Sequence, residues 1–163
     1  MNRSSSWSIW LFLVTFAFIF YGMGAAFMES FVNYPSWKLI GPGEFLTYHH
    51  FVGPRIIGYL VAPLVFGTVL TGLLLWFRPQ QIPAWPLWTA FGLQMFVWVA
   101  TVTVQIPIQI ELGNTGLSIP AIDKLLWTNF WLRRVPYTIN AGLFVWMMSL
   151  LLLPQNSETT TTN

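Results

Sequence analysis

The stretch from Trp7 to Met28, WSIWLFLVTFAFIFYGMGAAFM, decides the fold because it carries no charged residue. A helix needs about 20 mostly apolar residues to cross the hydrocarbon core of a bilayer. A signal peptide has a shorter apolar region of about 7–15 residues. Here the pattern also continues past Glu29 towards Asn33. We therefore predict a retained membrane helix rather than a cleaved leader.

Three further stretches are long and apolar enough to form membrane helices. They run from about Ile56 to Phe77, from Trp85 to Ile108 and from Val135 to Leu153. Backbone polar groups in lipid must be satisfied within each segment, so each stretch is predicted to be helical. The expected fold is all-α, an integral membrane four-helix bundle formed by residues 1–154 as one domain. The polar tail, residues 155–163, is predicted to be disordered.

The composition supports a membrane protein and excludes several other classes. Of the 163 residues, 55% are hydrophobic and only 7% are charged, against about 25% charged in soluble domains. The lipid bilayer is therefore an expected partner. The net charge of +2 has no basic run behind it, so nucleic acid is not expected as a partner. Because cysteine is absent, disulfides, iron–sulfur clusters and thiolate metal sites are excluded.

The links between the spans are unequal, and the long ones lie on one side of the membrane. The link between the second and third spans is short and rich in proline, whereas residues 29–55 and 105–134 form long links. Apolar residues from Ile122 to Phe130 recur at helical spacing, which predicts a short interfacial helix before the last span. The long-link side carries five Lys or Arg residues against two on the other. This excess orients the polar end towards the cytoplasm.

Most polar side chains fall at this long-link end, which predicts a polar pocket at one membrane face. The pocket is expected to bind a lipophilic small molecule, with the polar head of the ligand at the rim. The candidate site residues are Glu29, Tyr34, His49, His50, Arg55, Gln105, Gln109, Asn129, Arg133 and Tyr137.

The two histidines of the chain, His49 and His50, are adjacent in the stretch LTYHHFVGPR, residues 46–55. Successive residues of a helix point about 100° apart, so the pair is poorly placed to ligate one metal ion, and no metal site is predicted. One histidine as a ligand to haem or chlorophyll stays open, so the cofactor is left undetermined. The pair also fits a helix cap beside an interfacial imidazole, or proton transfer near neutral pH.

Two charged and two amide side chains suggest contacts at the polar end. Glu29 is costly inside a membrane unless it is paired or protonated, and Arg55 at a similar depth is the expected partner. Such a pair is either a structural salt bridge or part of a functional site. Gln105 and Gln109 flank Pro107 at i, i+4 spacing and share a helix face. They form either a hydrogen-bonding wall for a ligand or partners for backbone groups freed by the proline.

The opening of the last span places Asn129, Arg133 and Tyr137 at i, i+4 and i+8, so one stripe can point inward. An inward arginine can bind a carboxylate, a phosphate or an enolate oxygen in bidentate fashion. Arg134 then faces elsewhere, towards lipid phosphates. Alternatively, both arginines extend to the membrane surface.

The segments FVNYPSWKLIGPGEFLTYHHFVGPRI and VQIPIQIEL…IDKLLWTNFWLRRVPYTINAGLFVWMM resemble a group of small bacterial four-helix membrane proteins. These are distantly similar to the anthrone-oxygenase-like domain family, over about residues 20–150. The resemblance implies a bacterial inner-membrane protein that oxidises a lipophilic aromatic compound without a metal. By this resemblance His49 is the base, with Arg133 or Arg55 stabilising an enolate oxygen. Related sequences often carry histidine where this chain has Gln109.

Two functional hypotheses follow from the sequence. In the first, the protein binds a lipophilic small molecule and acts as a cofactor-independent oxygenase or isomerase-like enzyme, with His49, Arg133 and Glu29 as catalytic residues. In the second, the chain is a non-catalytic accessory subunit of a larger membrane complex, with a membrane-protein partner and with pigment or lipid bound. A lipid-facing cavity among the polar residues favours the first hypothesis, and mutual pairing of those residues favours the second.

Overall fold

A computed structural model describes residues 6–153, which form four long helices and no strand. All four helices are long and apolar enough to cross a membrane. The predicted tail at 155–163 lies outside the described residues. The four helices are α1, Ser6–Leu39; α2, Pro42–Phe77; α3, Ala84–Thr115; and α4, Ile119–Leu152.

The helices are longer than the sequence predicts. They contain 32 to 36 residues, or about 50 Å at 1.5 Å per residue, against about 30 Å of hydrocarbon. Most of the excess lies in the predicted long links: α2 begins at Pro42 rather than at Ile56, and α4 begins at Ile119 rather than at Val135. The segment predicted as a separate interfacial helix is thus the first part of α4, continuous with the rest of that helix.

Each of the four helices contains one π-helical turn, and a proline follows each of these turns. The π segments are Glu29–Asn33, Ile57–Val61, Thr101–Gln105 and Phe130–Arg134. Two residues beyond each segment come Pro35, Pro63, Pro107 and Pro136. A proline has no N–H, and its ring clashes with the carbonyl four residues earlier. A π turn inserts one residue and relieves that clash, so the helix continues where proline would otherwise break it.

The four helices pack in a ring, α1 between α2 and α4, and α3 likewise. At the end remote from the π segments, Phe12, Leu74, Leu87 and Phe144 are fully buried and form the core. Tryptophans are exposed around this end, as is typical of residues at a membrane–water interface. They are Trp7, Trp10, Trp76, Trp85, Trp88 and Trp146.

At the other end, the segments beyond the π turns pack into a second cluster, which we name the cap. It comprises residues 34–39, 42–56, 106–115 and 119–129. Its buried core consists of Tyr34, Trp37, Phe45, Ile108, Leu112, Ala121, Ile122 and Leu125. An ion pair between Lys38 and Asp123 lies on its surface. The long links are therefore folded helices with a core of their own.

The turn from α3 to α4 is set by Gly116 and Ser118 in the stretch GNTGLS, residues 113–118. Gly116 has φ of 87°, a left-handed conformation that favours glycine. The N–H of Gly116 donates to Leu112 O at 3.1 Å and ends α3. Ser118 caps α4, because its hydroxyl accepts from the Ala121 N–H at 3.4 Å. These local bonds bring the cap segments of α3 and α4 side by side.

Candidate functional site

Glu29 belongs to a hydrogen-bond network centred on an amide. Asn33 Nδ2 donates to Glu29 Oε2 at 2.7 Å. Asn33 Oδ1 accepts from Trp37 Nε1 at 3.2 Å and from the Tyr48 hydroxyl at 2.8 Å. All four residues are buried or half-buried. The π segment of α1 places Glu29 and Asn33 on the side of the cap, where the carboxylate is held by an amide.

The expected pairing of Glu29 with Arg55 is wrong. Arg55 is exposed, its Nη1 donates to Phe51 O at 2.6 Å, and its guanidinium lies 3.5 Å from the centroid of the Phe51 ring. The reason is that Arg55 lies on the outer face of α2, just before the π segment, so its side chain points outward. The guanidinium is satisfied by its own helix and the aromatic ring beneath it.

The two histidines both reach from α2 to α3 in the cap. His49 Nε2 donates to Gln109 Oε1 at 2.9 Å, and His50 Nε2 donates to Gly113 O at 3.1 Å. The His49 ring also packs on Trp37, with ring centroids 5.4 Å apart. Among residues 6–153, no three His, Asp or Glu side chains are grouped to hold a metal ion. In this position both imidazoles tie two helices together.

Gln105 and Gln109 do not form the shared wall that their spacing suggests. Gln105 is buried and its Nε2 donates to Thr128 Oγ1 of α4 at 3.1 Å, whereas Gln109 binds His49 of α2. Gln105 is the last residue of a π segment, and Gln109 lies in the α-helical turn that follows it. Their side chains bond to different neighbouring helices. Gln105 Oε1 is buried and has no hydrogen-bond partner.

The stripe predicted on α4 points inward as expected. Asn129 Nδ2 donates to Ser30 Oγ at 2.5 Å, and both side chains are buried. Arg133 is only 7% exposed; its Nη1 donates to the Tyr34 hydroxyl at 3.4 Å, and its guanidinium also lies near the Tyr137 hydroxyl. Arg133 Nε has no partner. The arginine is therefore held between two phenols inside the protein and does not extend to the surface.

Arg134 faces away from this stripe, as predicted. Its guanidinium lies 4.4 Å from the Phe31 ring centroid and 5.0 Å from that of Phe130. Both rings are exposed on the outer surface. Stacking on two aromatic rings holds the charge at the outer surface, next to the level of the π segments.

A second polar cluster, which was not predicted from the sequence, lies between the two ends of the protein. Gln94 Nε2 donates to Thr71 Oγ1 at 3.1 Å and to Asn140 Oδ1 at 3.5 Å. All three side chains are buried. They join α2, α3 and α4 inside apolar stretches. The only sequence signal was a single amide within each of two predicted spans, Gln94 and Asn140.

This cluster borders a cavity of about 20 Å³ that is lined by residues of all four helices. Phe18 contributes from α1, Leu64 from α2, Gln94 and Trp98 from α3, and Tyr137 from α4. Because Tyr137 also lies near Arg133, the buried arginine is a neighbour of the cavity lining. Of the predicted site residues, the structure brings Tyr34, Arg133 and Tyr137 together, and only Tyr137 lines the cavity.

The fold and site thus define a helical protein with four segments of membrane-spanning length and buried polar groups between them. No family model matches the chain, and no curated protein or solved structure is significantly similar to it. The geometry of the buried polar groups therefore carries the functional proposal, and the resemblance to anthrone-oxygenase-like proteins remains an expectation.

Proposed function

We propose that the chain is an integral membrane four-helix bundle that binds a lipophilic small molecule among its helices. The observation that carries this proposal is the cavity bordered by Gln94, Asn140 and Tyr137 and lined by all four helices. Polar groups inside a membrane are costly and mark functional sites. Here they surround a space, and Gln94 Oε1 is left without a partner.

The lining of the cavity favours a ligand that enters from the lipid. Leu64, Thr68 and Trp98 line the cavity and are half-buried, so these side chains extend from the cavity towards the outer surface of α2 and α3. A ligand head between these helices would lie in the cavity while its apolar tail stayed in lipid. Arg133 and Tyr137 would then bound the site on the side of the cap.

The enzymatic form of the proposal, a cofactor-independent oxygenase or isomerase-like reaction, is supported less well than binding. It assigns His49 as the base and Arg133 as the electrostatic partner. The rings of Tyr34 and Trp37, 5.0 Å apart, lie between these two residues. Moreover, His49 Nε2 already donates to Gln109. The arrangement therefore favours ligand binding as the primary function.

A non-catalytic accessory subunit is the second candidate. Mutual hydrogen bonding of the cap residues favours it, because Glu29, His49 and Asn129 each have a partner within the chain. In this role the exposed aromatic side chains at both ends would face a larger membrane complex. We further propose the bacterial inner membrane as the location, with the cap in the cytoplasm, where the positive-inside rule favours the excess of Lys and Arg.

The test is to identify lipophilic molecules that co-purify with the protein. Wild type, Arg133→Met, Tyr137→Phe and the exposed-arginine control Arg55→Ala are purified in lauryldimethylamine oxide, and solvent extracts are compared by mass spectrometry. We expect one lipophile enriched with wild type and with Arg55→Ala, and about tenfold depleted in the other two variants. Tyr137→Phe removes a single hydroxyl, so it keeps the test valid if Arg133→Met does not fold.

Two outcomes would count against ligand binding. If the extracts of all four samples contain only bulk phospholipid, the proposal that the protein binds a specific lipophile is wrong. Retention of the same lipophile by both site variants would place the ligand elsewhere. If the chain instead migrates with a fixed partner protein in mild detergent and carries no specific lipophile, the accessory-subunit function is supported.

A further inference from the structure

Arg134 lies on the outer surface of α4, beside α1, and its charge is unpaired. Its guanidinium lies over the exposed rings of Phe31 in α1 and Phe130 in α4. Among residues 6–153, no carboxylate lies within 4 Å of this guanidinium and no acceptor takes a hydrogen bond from it. Of its three nitrogens only Nε is buried without a partner, so the two terminal nitrogens remain accessible. They can donate to an anion outside the chain.

The depth of Arg134 along the helices matches a membrane–water boundary. Its ring partner Phe31 comes 21 residues after the exposed Trp10 of α1, which is about 32 Å at 1.5 Å per residue. Exposed tryptophans are typical of one interface, and the hydrocarbon core is about 30 Å thick. The guanidinium therefore lies at the headgroup level of the opposite leaflet, where phospholipids carry their phosphates.

We infer that this surface binds an anionic phospholipid, whose phosphate accepts hydrogen bonds from the terminal nitrogens of Arg134. The rings of Phe31 and Phe130 already hold the guanidinium in place, which lowers the entropic cost of binding. Phosphatidylcholine would bring a second cation close to this unpaired charge, whereas phosphatidylglycerol brings a net negative charge. Val145 is also exposed and lies eleven residues further along α4, on the same face. An acyl chain therefore has apolar surface to follow.

Arg55 provides a matched control at the same depth. It comes 21 residues before the exposed Trp76 of α2 and also lies over an aromatic ring, that of Phe51. However, Arg55 Nη1 already donates to Phe51 O at 2.6 Å, whereas the terminal nitrogens of Arg134 are free. A change to glutamine at either position removes one positive charge from the outer surface, and only the change at Arg134 removes the proposed phosphate donor.

This lipid site is separate from the ligand site proposed above, because Arg134 does not line the cavity. The two proposals can therefore fail independently of each other.

The experiment counts the phospholipids that stay bound to the full chain in native mass spectrometry from lauryldimethylamine oxide. Wild type, Arg134→Gln and Arg55→Gln are titrated with dioleoylphosphatidylglycerol and with dioleoylphosphatidylcholine, and the Kd of the first bound lipid is compared. We expect wild type to bind the phosphatidylglycerol about fivefold more tightly. Arg134→Gln should lose this preference, and Arg55→Gln should keep it. Glycerol phosphate, which carries the phosphate without acyl chains, should not bind in the same concentration range.

Each other outcome overturns the inference. Equal affinity of wild type for the two lipids would show that the unpaired charge does not select a lipid, and this comparison needs no variant to fold. An unchanged preference in Arg134→Gln would place the lipid at another residue. An equal loss in both variants would assign the preference to the net charge of the surface. Binding of glycerol phosphate as tight as that of the lipid would make the ligand a soluble phosphate.

Discussion

A tyrosine hydroxyl of α1 binds a backbone carbonyl of α2 four residues before a proline. The Tyr21 hydroxyl donates to Tyr59 O at 2.7 Å. Tyr59 lies in the π segment of α2, and Pro63, four residues later, has no N–H for its carbonyl. In lipid a freed carbonyl must find a partner from a neighbouring helix. We therefore predict that the Tyr21 hydroxyl stabilises the fold only because Pro63 is present.

The magnitude follows from the surroundings of this hydrogen bond. Tyr21 is 50% exposed on the outer surface, where hydrocarbon rather than water would surround an unpaired group. Hydrogen bonds between membrane helices contribute about 0.6 kcal/mol on average and up to about 1.7 kcal/mol. Tyr21→Phe should therefore cost about 1–1.7 kcal/mol, the upper part of this range. In a Pro63→Ala background the alanine N–H can bond Tyr59 O, so the cost of Tyr21→Phe should fall below about 0.5 kcal/mol.

The assay is unfolding of the purified protein by sodium dodecyl sulfate in mixed micelles, followed by circular dichroism. Wild type, Tyr21→Phe, Pro63→Ala and the double variant complete a cycle. Tyr59→Phe is the control, because it removes a nearby hydroxyl and leaves the carbonyl bond intact; its effect should stay within about 0.5 kcal/mol. An equal cost of Tyr21→Phe with and without Pro63 would refute the reasoning.

Three further predictions test the packing. Gly22→Leu should destabilise the protein by about 1–3 kcal/mol in the same assay, because its Cβ would collide with a leucine of α2. Gly24→Leu, with nothing within 4 Å of its Cβ, should cost less than about 0.5 kcal/mol; equal costs would contradict the packing. Ser30→Ala and Asn129→Ala should show a coupling energy of about 1 kcal/mol in a double-mutant cycle, and additive costs would contradict their bond. Asp123→Asn removes an exposed ion pair and should change stability by less than about 1 kcal/mol; a larger loss would contradict its surface role.

The inward stripe of α4 was predictable, whereas the partner of Glu29 was not. Spacing alone placed Asn129, Arg133 and Tyr137 on one face, because the face of a helix depends on local periodicity. The partner of Glu29 depends on how two helices rotate against each other. Arg55 has the right depth for a salt bridge and the wrong face, so the carboxylate is bound by Asn33 of its own helix.

The polar cluster between the two ends could not be predicted from the sequence because it carries no charge. Hydropathy detects a membrane span by its average, and α3 and α4 still qualify as spans although they contain the amides Gln94 and Asn140. Their importance lies in meeting each other across two helices. A pairing of this kind depends on tertiary packing, which the separate apolar stretches do not encode individually.

The prolines explain why the cap has a hydrophobic core that is separate from the core at the other end of the helices. A π turn inserts one residue, so the segment beyond it is rotated by about 100° relative to a regular helix. Because all four helices carry such a turn before a proline, the cap segments turn together and can pack around Trp37 and Phe45. The same turns carry Glu29, Gln105 and Arg133. Polar side chains thus lie where the backbone changes register, between two cores, and their bonds hold the cap on the apolar helices.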